Sequence, residues 1–178
     1  MNIEISTPPR TIMEVYKMLP EGTLAELING QIFMSPTPTN LHQRISRKLL
    51  IKLSEFVEKR SLGEVFDAPL DIYLDNYKNS VQPDIIFISK DNPSQPLDHI
   101  PYHGIPDLLI EILSPSNDDH DLITKKELYE KFGVKEYWIV DPITKEVLVY
   151  QLLNHSYFLA GKEIGKISSP LLQLIFEF

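Results

Sequence analysis

A chain of 178 residues, 43% hydrophobic and 24% charged, carries enough apolar matter for one continuous core, which excludes a disordered chain and a second full-sized domain. It has no cysteine, so disulfides, thiolate catalysis and Cys-ligated zinc or iron–sulfur sites are excluded, and any metal must sit on oxygen or imidazole. The net charge of -8 opposes broad binding to nucleic-acid phosphates and leaves that role to a local basic surface.

The first twenty residues lack a basic region followed by an apolar stretch, and no run approaches the roughly 18 apolar residues of a membrane span, so a cytoplasmic protein is expected. Pro9 to Leu19 sets Ile12, Val15, Tyr16 and Leu19 at helical spacing behind a proline, predicting a short helix. LAELI and QIFMS flank Asn29-Gly30, the pair that best tolerates the positive φ of both central residues of a type I′ turn, which predicts a β-hairpin. In SPTPTN the prolines end the strand, and Thr39 or Asn40 can cap a helix by accepting from an early backbone N–H. That helix is expected to reach about Arg60 on a stripe of Leu41, Ile45, Leu49, Leu53 and Phe56, with Gly63 just past its end.

EVFDAPLDIYL, VQPDIIFIS and PDLLIEILS then suggest three strands between polar, Pro-rich loops. After SPSNDDH, where Ser116 or Asn117 can serve free N–H groups, a second helix is expected from about Asp119 to Phe132, closed by Gly133. EYWIVD and EVLVYQLL follow as strands around Pro142, and the tail from Ser156 suggests short strand and loop. Helix, three strands, helix, strand, strand is the order of an α/β sandwich whose mixed sheet is covered by helices.

Asp84 opens the apolar run Ile85-Ile86-Phe87 and can face a cleft from a strand's start. Glu111 stands inside an otherwise apolar run, where a buried charge is costly unless it is paired or bound to a metal. At about 100° per residue the stripe of the second helix is Leu122, Leu128, Tyr129 and Phe132, and Lys125 points into its middle. Asp121 lies one turn earlier and Lys126 on the stripe's edge. The bland reading is an ion pair that compensates charge. The sharper one is a site in which Asp84 and Glu111 hold a hard divalent cation while Lys125 orients a water or stabilises a phosphoryl transition state.

Further candidates are weaker. His42 and Gln43 begin the long helix, where a histidine is more often a surface or capping residue. Asp107 and Asp121 could support the site or pair locally. Glu26 in the hairpin is read as structural, and Arg44, Arg47, Lys48 and Lys52 form either a solvated face or a phosphate-contacting strip. Gly-rich phosphate loops, nucleophile elbows and HExxH motifs are absent.

The succession HQRIS, GEVFDAPLDIYL, QPDIIFIS, PDLLIEILSPS, an Asp and a Lys on the next helix, and GVKEYWIVDP resembles the Uma two family of restriction endonucleases, within the PD-(D/E)XK nuclease superfamily. The likeness runs from the AELINGQI hairpin through EVLVYQL. It implies a single domain over residues 1–178, with an αβββαβ core at 39–152 and residues 1–38 as a helix-and-hairpin extension. It also implies a metal, Mg²⁺ or Mn²⁺, between Asp84 and Glu111. The superfamily's lysine stands two residues after the second acid, where this chain has Leu113; in relatives a lysine on the following helix looks like its replacement, and Lys125 matches it. His42-Gln43 matches a recurring HQ pair. The expected function is a metal-dependent endonuclease acting on DNA as a homodimer; the alternative is an inactive nuclease-fold module that binds nucleic acid or protein.

Overall fold

The computed structural model describes residues 8–96, 101–114 and 120–178. Helix α1 spans Ile12–Lys17, started by Thr11, whose hydroxyl accepts from the Glu14 N–H. It buries Met13 and Tyr16 and leaves Ile12 and Val15 exposed, unlike the predicted stripe. The Tyr16 hydroxyl matches this rotation, lying within hydrogen-bond reach of both Ala25 O and Asp71 Oδ1 at 2.9 Å with one proton to donate between them. The hairpin follows as β1, Ala25–Ile28, and β2, Gln31–Met34, around Asn29 and Gly30, both at positive φ.

Helix α2 spans Asn40–Arg60 and is capped by Thr39, which accepts from His42 N. Its last cap is Ser61, in the left-handed region at φ 51°, ahead of Gly63. The buried stripe is His42, Ile45, Leu49, Leu53 and Val57, whereas the expected Leu41 is exposed and Phe56 only half-buried. His42 can take the inward position because a carboxylate receives it there.

Two of the three expected strands are divided. Strand β3, Gly63–Asp67, ends at the cis Ala68-Pro69 peptide, and β4, Ile72–Tyr73, belongs to another sheet. Strands β5, Ser80–Val81, and β6, Ile85–Ser89, are likewise parted at Pro83, which has no N–H for a ladder. Next come β7, Tyr102–His103, and β8, Leu108–Ile112. The second helix is a π-helical turn, His120–Lys125, leading into α3, Lys126–Phe132, capped by Gly133 at φ 87°; its expected Ser116 and Asn117 start lies outside the described residues. Strands β9, Glu136–Val140, and β10, Glu146–Leu153, are followed by a longer β-structure than expected: β11, Ser156–Ile164, β12, Lys166–Ser169, and β13, Leu174–Glu177.

The strands form a six-stranded sheet, β11-β10-β9-β8-β6-β3, a five-stranded sheet, β2-β1-β5-β4-β7, and the β12-β13 pair. In the larger sheet β8 lies antiparallel to β6 and parallel to β9, so α2, β3, β6, β8, α3 and β9 make the αβββαβ core of a mixed α/β fold. Strand alternation divides the interior. Ile85, Phe87, Leu108, Ile110 and Ile112 pack under α2, each such fully buried side chain contributing about 1.5–3 kcal/mol. Ile86, Ile88 and Leu109 face α3 and the smaller sheet. Among the described residues, no helix is long and apolar enough to cross a membrane.

Gly63 has φ 152°, and a Cβ there would overlap the Ile88 carbonyl oxygen across the β3–β6 ladder. Gly63→Ala is expected to lower stability by about 2–3 kcal/mol, read as a lower urea midpoint at unchanged slope.

Candidate active site

Asp84 stands immediately before β6, and the antiparallel register that pairs Ile85 with Ile110 sets it across from Glu111. The Ile112 N–H donates to Asp84 Oδ2 at 2.7 Å, tying the first acid to the backbone of the second acid's strand. His42 Nε2 lies 3.1 Å from the same oxygen. Glu111 shares its sheet face with Leu109 and is buried; the Tyr129 hydroxyl donates to its Oε1 at 2.9 Å, and Lys125 Nζ is 3.0 Å from that oxygen. Lys125 Nζ also lies 3.1 Å from Asp121 Oδ1 and 3.1 Å from Glu26 Oε2. Asp84, Glu111, Asp121, Lys125, His42 and Gln43 line one cleft of about 190 Å³.

Burial pushes the Glu111 carboxyl well above the ordinary carboxylate range; Lys125 opposes this, and Asp121, Asp84 and Glu26 reinforce it. Burial raises Asp121 as well. For Lys125 burial favours the neutral amine, yet Asp121, Glu111 and Glu26 together hold it charged, well above the usual lysine value. Glu26 is also desolvated, but Lys125, His120 and the Gln82 N–H draw it down to about 2. His42 is raised, because its bond to Asp84 outweighs burial.

Four carboxyl groups therefore face one ammonium, Lys125, and two imidazoles, His42 and His120, and a surplus of acidic oxygen suits a hard divalent cation. Asp84 takes its contacts on Oδ2 and Glu111 on Oε1, leaving Oδ1 and Oε2 without a hydrogen-bond partner among the described residues. Also among the described residues, no three His, Asp or Glu side chains are gathered to hold a metal by themselves. Two carboxylates with water in the remaining positions fit Mg²⁺, which dehydrates reluctantly and takes one or two protein carboxylates.

The other predicted residues separate by position. Lys126 turns away, its Nζ lying over the Tyr150 ring 5.0 Å from the centroid. Asp107 stands just before β8, four residues and about 13 Å along the chain from Glu111. There it accepts from Lys135 Nζ at 2.6 Å, Ser89 N at 2.8 Å and Asn92 Nδ2 at 2.7 Å, a local polar knot apart from the cleft. Arg44, Arg47, Lys48 and Lys52 are all exposed on α2. Glu26, read from sequence as a structural hairpin residue, joins the cluster around Lys125. Its signal resembled that of Glu111: an acid in a strand whose other members are all apolar.

A family model described as "Uma2: Putative restriction endonuclease" matches residues 13–173. The chain belongs to the Uma2 family. The Uma2 match takes in every side chain of the cleft described above. A crystal structure described as "a putative nuclease belonging to DUF820 from Anabaena variabilis ATCC 29413" superposes with a TM-score of 0.74 at 24% identity, covering 95% of each chain. Likeness at that identity establishes a shared fold. No curated protein matches this Uma2 chain.

Proposed function

We propose that this Uma2 protein is a divalent-metal-dependent endonuclease that hydrolyses phosphodiester bonds in DNA and acts as a homodimer. The observation that carries the reading is the meeting of Asp84, Glu111 and Lys125 in one cleft, with Lys125 Nζ 3.0 Å from Glu111 Oε1. Asp84 and Glu111 would hold the cation, Mg²⁺ or Mn²⁺, which when bound supplies a more acidic water and a counter-charge to the phosphate.

The chain's own groups do the rest. Lys125, kept charged by its neighbours, could pass the N–H that now faces Glu111 Oε1 to a developing phosphate oxygen, and a donor aimed at developing charge in a buried site is worth about 10²–10³ in rate. His42 Nε2 and the Ile112 N–H both hold Asp84 Oδ2, so that carboxylate is oriented before substrate arrives. Gln43 offers an exposed amide at the rim. Arg44, Arg47, Lys48 and Lys52 lie on the same helix as His42 and Gln43, a local positive strip that offsets the net charge of -8 for a phosphate backbone. Cutting both strands of a duplex calls for two sites related by a two-fold axis, hence the homodimer.

The purified protein is expected to nick supercoiled DNA with Mg²⁺ or Mn²⁺ and to stop when the metal is chelated. Calorimetry with Mg²⁺ should register binding at millimolar concentration. Neither cleavage nor binding heat would leave a nuclease-fold module that binds nucleic acid or protein.

A further inference from the structure

Lys125 has more counter-charge than neutrality asks for. One carboxylate would balance the ammonium, and three lie at 3.0–3.1 Å. Two of them come with the cleft, Glu111 from β8 and Asp121 from the turn before Lys125 on its own helix. The third, Glu26, is brought in by the hairpin. Strand alternation sends Ala25 and Leu27 into the apolar cluster with Met13 and Tyr16, and turns Glu26 to the other face. Burying another acid is costly, so charge balance does not explain its presence.

The contacts of Glu26 show what it joins. Its Oε1 accepts from Gln82 N at 2.9 Å, just ahead of Asp84 in the chain. Its Oε2 meets Lys125 Nζ at 3.1 Å and lies 3.4 Å from His120 Nε2. Across the hairpin, Phe33 pairs with Glu26 and packs on the His120 ring at 4.7 Å between centroids. The hairpin therefore grips both the loop that carries Asp84 and the helix that carries Lys125. A ring closes: Gln82 to Glu26, Glu26 to Lys125, Lys125 to Glu111, and Ile112 N back to Asp84. Asp121 moves with its helix and cannot fix the distance from helix to sheet, whereas Glu26 is anchored on the Gln82 backbone.

We infer that Glu26 is the positioning residue for Lys125: anchored by the Gln82 N–H, it holds the ammonium against Glu111 and retains it there when Glu111 turns its charge toward a cation. The catalytic consequence rests on the nuclease reading; the contact does not.

Two measurements on the intact 178-residue chain test it. The ¹⁵Nζ resonance of Lys125, identified by its loss in Lys125→Arg, is expected to be sharp in the wild type and broadened or lost in Glu26→Gln. Glu26→Asp, which keeps the charge but draws it back, should give an intermediate signal and serves where the Gln variant fails to fold. In DNA cleavage, kcat of Glu26→Gln is expected to fall roughly 10- to 100-fold with KM within about two-fold. An unchanged Lys125 resonance in Glu26→Gln overturns the inference, as does a lost kcat mirrored by an equal rise in KM. A wild type that cleaves nothing ends the nuclease reading alone, and the resonance then decides on Glu26 by itself.

Discussion

Asparagine in place of Asp84 is expected to lower phosphodiester cleavage by about 10³-fold or more while leaving the fold intact. The asparagine carbonyl can still accept the Ile112 N–H that Asp84 Oδ2 receives at 2.7 Å, so the tie between the loop and β8 survives. What disappears is the negative charge that would hold the cation and that keeps the His42 proton. His42 is raised in the folded protein, so its bond to Asp84 gives stability that is fully present below the ordinary histidine value of 6.5 and is lost as pH climbs through the raised value. Asp84→Asn should thus cost about 1–2 kcal/mol near pH 6 and less near pH 8.5. Plasmid nicking with Mg²⁺ and urea unfolding at the two pH values give both numbers. Undiminished cleavage by a folded Asp84→Asn protein would end the metal-site reading.

Local chemistry explains which parts of this molecule were legible in its sequence. Asn29-Gly30 and Gly133 were readable because each sits where the backbone needs positive φ and few residues accept it. The β10–β11 turn was not, since Asn154 and His155 take positive φ without a glycine, and so the nine-residue β11 looked like short strand and loop. Reading EVFDAPLDIYL as one strand-like run concealed the switch between sheets at Ala68-Pro69. The signal present was Pro69 itself, which cannot serve a ladder.

Within the cleft, legibility followed the range of the partner. Lys125 could be placed on the apolar side of its helix from neighbouring residues, and it is buried even though its segment winds as a π-turn. Leu41 outranked His42 as a core residue because only a partner in a distant segment, Asp84, makes a buried histidine favourable. Glu26 was passed over for the same reason: its counter-ion, Lys125, comes from a segment far along the chain. Hydrophobic periodicity fixes which face a residue occupies, and charge pairing across sequence-distant elements fixes what it meets there.

The largest stability effect is expected from Lys125→Met, which keeps the bulk of the side chain and deletes its charge. Glu26, Glu111 and Asp121 would then be buried without their common cation, and breaking a buried ion pair in this way costs about 3–5 kcal/mol. In the wild type Glu26 is held down from 4.5 to about 2, so it contributes stability that is present above 4.5 and disappears as pH falls toward 2. Without the ammonium, burial raises it instead, and the variant loses stability as pH rises and the acids are forced to ionise. The gap between wild type and Lys125→Met should therefore be widest near neutral pH and close in acid, as read by urea unfolding at pH 4 and pH 7.5. Adding Glu26→Gln to Lys125→Met removes one of the stranded charges and should recover part of the loss. Equal stability of the single variant and the wild type at pH 7.5 would mean that the ammonium is not held among the three carboxylates, and the donor that the proposed hydrolysis requires at Glu111 would be missing.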